Sequence, residues 1–142
     1  MTLEKIIKKL ENSSLEERME IGKNQAHIYY SFCMKYTNDI NKCNTLFFGS
    51  IATIIGIDLK IDEKEYEYFK DLIDETNISF TDFNNYIKAW TNVKTIEDTD
   101  YIIDNDANSE EKQAFVYLCI LLSISNNILE KSELGLITKY LK

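Results

Sequence analysis

Proline is absent from this chain, and histidine, arginine and tryptophan each occur once in 142 residues. Each scarcity excludes something. Without proline nothing breaks a helix from within, so long helices joined by short loops are expected. The lone histidine, His27, gives a Ser-His or Cys-His catalytic set little to build on. One arginine and a formal net charge of −8 leave no basic stripe for tracking phosphates, so no direct nucleic-acid binding is expected. Cys33, Cys43 and Cys119 are odd in number and have no paired spacing. They are expected to be free thiols filling small core positions in a reducing compartment. The longest apolar run, 115–124, falls well short of the ~20 residues a membrane-spanning helix needs. The first fourteen residues alternate charged and apolar side chains without the apolar block of a signal peptide. No glycine-rich phosphate loop occurs. These absences predict a cytoplasmic protein, not an enzyme, with no membrane insertion.

What is present is a composition 44% hydrophobic and 12% aromatic, enough to bury a core as a single domain spanning 1–142. Ser13 and Ser14 each have a glutamate three positions on, Glu16 and Glu17, which marks a helix start. From there Leu15, Met19, Gly22, Ala26, Tyr29, Cys33, Tyr36 and Ile40 recur in steps of four and three, predicting one long helix over 14–40. Ile21, Ile28 and Phe32 form a second apolar strip about 100° around it, which either packs centrally or faces a protein partner. Glu20, Asn24, His27 and Ser31 fall on the opposite, polar face, so His27 is expected in solvent. The segment 45–57 is apolar nearly all round and reads as a buried helix with Gly49 and Gly56 at close crossings. Ser79 with Asp82 starts a helix carrying Phe83, Ile87 and Trp90 on one face. A short helix is expected from Thr95, followed by a loop; the stretch holds Glu97, Asp98, Asp100, Asp104 and Asp106. Asn108 with Glu111 caps another apolar helix running to about Ser125, and a last one spans 130–140. No strand pattern of useful length appears.

One pattern occurs twice without a gap, 68 positions apart. The first copy reads Asp58-Leu59-Lys60-Ile61-Asp62-Glu63-Lys64-Glu65 and the second Asn126-Asn127-Ile128-Leu129-Glu130-Lys131-Ser132-Glu133. Each follows an apolar helical stretch and precedes an amphipathic one, with Tyr66, Phe69 and Ile73 matched by Leu134, Ile137 and Leu141. A helix, turn, helix unit used twice predicts a duplicated all-α domain. The copies occupy 43–75 and 109–142, separated by a middle helix and acidic joint over 79–108.

Both copies have the outline of a calcium loop, but the register fails. With Glu65 at the twelfth position, the first, third and sixth are Ile54, Gly56 and Leu59; in the second copy they are Leu122, Ile124 and Asn127. The early oxygen ligands are missing, so these are not EF-hands. Two readings of Asp58, Glu65, Asn126 and Glu133 stay open. As caps, Asp58 and Asn126 end helices while Glu65 and Glu133 occupy third-residue capping positions. As ligands, the four would meet across a pseudo-twofold axis and supply oxygens to a hard divalent cation, calcium or magnesium.

The segment CNTLFFGSIATIIGIDLKIDEKEYEYFKDLI resembles the first repeat of the TerB-like domain, named for tellurite-resistance operons and also found at the N-terminus of DjlA-type co-chaperones. NSEEKQAFVYLCILLSISNNILEKSELGLITKYL resembles the second. The family form is an apolar helix, then D-G-x-I-x-x-x-E, then an amphipathic helix, in each half. The resemblance implies an all-α domain of about seven helices in two pseudo-symmetric halves. It also implies an acidic or metal-binding surface at Asp58, Glu65, Asn126 and Glu133, and a non-catalytic binding or scaffold role in stress response, chemical resistance or phage defence. The chain departs from the form at Leu59 and Asn127, where the family has glycine, and at Asn126, where it has aspartate. These changes weaken the metal reading and favour a protein partner. Partner contacts are expected at Ile21, Ile28 and Phe32 and at Asp100, Asp104 and Asp106. The alternative expectation is an acidic protein, encoded by a phage or mobile element, that inhibits or regulates a host protein through its basic surface.

Overall fold

A computed structural model of the chain describes residues 2–54, 67, 70–71, 78–125 and 138–141. The described residues form an all-helical bundle: α1 (Leu3–Glu11), α2 (Leu15–Thr37), α3 (Ile40–Ile54), α4 (Phe80–Thr91), α5 (Ile96–Asp106), α6 (Ser109–Ser125) and a short 3-10 turn (Lys139–Leu141). The rest of the expected buried helix beyond Ile54, most of the helix after Asp62 and most of the helix expected over 130–140 lie outside the described residues.

The first helix has no counterpart in the sequence reading. Leu3, Ile6, Ile7 and Leu10 fall on one face, and Ile6 and Leu10 are fully buried. Thr2 caps its start by accepting from the Lys5 N–H at 3.3 Å. Its last carbonyls are satisfied by side chains from beyond the helix. Ser13 donates to the Lys9 carbonyl at 2.6 Å, and Arg18 donates to those of Leu10 and Glu11 at 2.6 and 3.0 Å. The single arginine of the chain thus closes a helix end. Ser14, and not Ser13, caps α2, accepting from the Glu17 N–H at 3.1 Å.

The helix expected over 14–40 is two helices. Asn38 takes a left-handed conformation (φ 53°) and its N–H bonds the Met34 carbonyl at 2.7 Å, ending α2. Asp39 then accepts from the Lys42 N–H at 3.0 Å and starts α3. The apolar spacing runs on to Ile40 across this break, but its ends do not share the buried face: Leu15, Tyr36 and Ile40 are exposed. Gly22, Ala26, Tyr29 and Cys33, in the middle, are buried.

Helix α2 lies at the centre, packed against both α3 and α6. Tyr29 is the hub of the aromatic core, with ring centroids 5.4 Å from Phe47 of α3 and 5.0 Å from Phe115 of α6. Its hydroxyl lies 2.6 Å from Ser50 Oγ, and since Ser50 donates to the Phe47 carbonyl, Tyr29 is the donor to Ser50. Tyr30 likewise donates to Asn44 Oδ1 at 2.6 Å, which satisfies a buried amide. The three thiols are buried, as their spacing predicts. Burial pushes those of Cys33 and Cys119 well up, and that of Cys43 up to about 11, so all three stay protonated at neutral pH.

The acidic joint is helical for eleven residues, longer than the short helix and loop expected from sequence. Thr95 and Asp98 form a reciprocal capping box, with bonds of 3.1 and 3.0 Å. Asn108 and Glu111 do the same at the start of α6, at 2.9 and 2.8 Å. No helix of the described residues is long and apolar enough to cross a membrane.

Candidate functional site

Three chain segments converge on an open cleft of about 400 Å³. The end of α2 contributes Tyr36 and Thr37, the start of α3 contributes Lys42, Thr45 and Leu46, and the end of α4 with its turn contributes Ala89, Trp90, Val93 and Lys94. The turn is held by the Trp90 carbonyl, which accepts from the N–H groups of Val93 and Lys94 at 3.1 and 2.7 Å. That places an apolar and a cationic side chain together beside the indole.

Most polar atoms around the cleft already have partners within the fold. Thr37 donates to the Cys33 carbonyl at 2.7 Å and Thr45 to the Asn41 carbonyl at 2.8 Å. The Trp90 indole N–H donates to the buried Thr99 hydroxyl at 2.9 Å, so the indole offers the cleft only apolar surface. Val93 is 73% exposed and Tyr36 48%. The cationic groups are Lys42 and Lys94, both exposed, and no carboxylate lines the cleft among the described residues. Asp98 is held below the usual carboxylate range chiefly by its bonds from Thr95, with Lys94 a smaller influence.

The four repeat-matched residues, Asp58, Glu65, Asn126 and Glu133, lie outside the described residues. Among the described residues no group of three or more His, Cys, Asp or Glu side chains could hold a metal ion. Phe32 is buried against Tyr29 and stacks on Tyr36, so it is taken up by the chain's own packing. Ile21 and Ile28 are half-buried and pack on the core. Asp100 also points inward: it accepts from Lys139 Nζ at 2.6 Å and from the Tyr140 hydroxyl, pinning the 3-10 turn. Burial, with Asp100 next, drives the Tyr140 hydroxyl well above its ordinary pKa. Asp104 pairs with Lys112 at 3.7 Å, whereas Asp106 is exposed. His27 lies in solvent on the polar face of α2, as expected.

Sequence reasoning missed the cleft because its third wall lies some fifty positions from the other two, and none of the three segments carries a motif. Exposed Val93 next to Lys94, just past the end of a helix, was the available signal. Comparison with family models, with curated proteins and with solved structures found no match.

Proposed function

We propose that the chain is a cytoplasmic TerB-like binding and scaffold module without catalysis of its own, serving stress resistance or phage defence. In this reading the scaffold engages a protein partner, and Asp58, Glu65, Asn126 and Glu133 of the two repeats are its candidate site for a divalent cation, calcium or magnesium. The observation that carries it is the gapless repeat, whose oxygen-bearing residues recur at matched positions. Three carboxylates and one amide make an all-oxygen donor set, the chemistry of a hard cation and not of zinc. Support also comes from the core: Phe47 and Phe115, related by the same offset of 68, both pack on Tyr29. A duplicated unit wrapped around one central helix would place equivalent side chains in this way.

Thermal unfolding with and without cation tests this reading. A cation bound only by the folded chain at a hundredfold excess over Kd adds about 2.7 kcal/mol of stability, raising Tm by several degrees. The double variant E65Q/E133Q is expected to lose that response while keeping its starting Tm, because glutamine serves at the third capping position as glutamate does. A wild-type Tm indifferent to both cations assigns the four residues to capping alone.

A second reading, the acidic inhibitor of a basic host surface, draws on α5. Glu97, Tyr101 and Asp104 follow one another at helical spacing and are all exposed, with Tyr101 66% so. Capture of a host protein through this face should weaken steeply between low and high salt. Capture that survives high salt counts against it.

A further inference from the structure

We propose that the cleft between the ends of α2 and α4 is a binding site for a small amphiphilic carboxylate, an alkyl or aryl chain bearing one anionic head. The proposal does not depend on the cation reading. Its volume of about 400 Å³ lies within the range of small-molecule pockets. Its floor and walls are apolar: Leu46 is buried beneath it, and Trp90, Ala89, Val93 and the ring of Tyr36 surround the space.

The polar groups decide the sign of the ligand. The two threonine hydroxyls and the indole N–H are already bonded within the fold. Donors to a ligand are therefore the ammonium groups of Lys42 and Lys94 and the hydroxyl of Tyr36, with no carboxylate among the described lining residues to repel an anion. This local cationic rim stands out in a chain with 24 acidic and 16 basic residues, which as a whole repels anions. An apolar chain alone would make no use of the cationic rim, and a cationic amphiphile would oppose it. A carboxylate on an apolar tail satisfies both parts of the cleft.

Trp90 is the only tryptophan of the chain and lines the cleft, so intrinsic fluorescence reports on it directly. The probes are octanoate, octanol and octylammonium, which share a tail and differ in head charge. Octanoate is expected to shift Trp90 emission saturably, with a Kd about fivefold or more below that of octanol, since two exposed ion pairs each contribute modestly. Octylammonium should bind more weakly than either. In the double variant K42Q/K94Q, octanoate affinity should fall to that of octanol while octanol is unaffected. Both lysines are exposed, so the fold is expected to survive, and circular dichroism checks this. The amide resonances of Val93 and Lys94 and the Trp90 indole resonance provide a second readout if emission is insensitive. Equal affinities for the three probes, unchanged octanoate binding by K42Q/K94Q, or no saturable change in either readout would overturn the proposal.

Discussion

Gly49→Ala is expected to destabilise the fold by about 2 kcal/mol or more, although alanine is the better helix former. The reason is the crossing of α3 and α4. A Cβ at position 49 would lie 2.1 Å from Trp90 Cβ, 2.3 Å from its Cγ and 2.8 Å from its Cδ1. These atoms are at the base of the side chain, so a rotamer change cannot clear them. The indole is held at its other end by the bond to Thr99, and its carbonyl anchors the Val93–Lys94 turn. The helices must separate, and the cleft opens with them. Helix propensity favours alanine by roughly 1 kcal/mol, which the overlap outweighs. Chemical denaturation of Gly49→Ala, alone and combined with Trp90→Leu, measures this. The pair should be less destabilised than the sum of the two single variants. A Gly49→Ala chain as stable as wild type would show that α3 and α4 do not cross this closely.

Phe115→Ala is expected to cost about 3–5 kcal/mol, on the order of half the stability of a domain this size. Phe115 is fully buried and packs between Tyr29 and Tyr140, whose ring centroids lie 5.0 and 5.9 Å away. The void left behind would lie between Tyr29 of α2 and Tyr140 of the 3-10 turn, and closing it would require the packed α2 and α6 to shift. Phe47→Ala, its counterpart at the offset of 68, should cost a comparable amount. Both rings touch Tyr29, so the double variant is expected to depart measurably from additivity, which unfolding midpoints in urea would reveal. Strict additivity would mean that Tyr29 does not couple the two helices.

The parts legible in sequence were those governed by local chemistry. Ser79 with Asp82 and Asn108 with Glu111 are short-range hydrogen-bond pairs, and both sit where they were expected, at 3.1 Å and at 2.9 and 2.8 Å. The burial of Phe83, Ile87 and Trp90 followed from their spacing on one face. The break at Asn38 was hidden because the apolar rhythm continues across it, and only the left-handed residue interrupts the helix. The first helix is masked in sequence by its alternation of charged and apolar residues, though the apolar ones keep helical spacing. At the candidate sites the division is sharper. The repeat pointed to four residues from pattern alone, whereas the lysine-rimmed cleft exists only once α4 lies against α3, a long-range contact with no local signature.

The claim that the two repeats hold a cation is tested most directly by isothermal titration of Ca²⁺ and of Mg²⁺ into the intact chain, beside the E65Q/E133Q variant. A saturable isotherm with a submillimolar Kd is expected for at least one of the two ions, and its loss in the variant. Heats indistinguishable from dilution up to millimolar cation, with the helical fold intact, would contradict it.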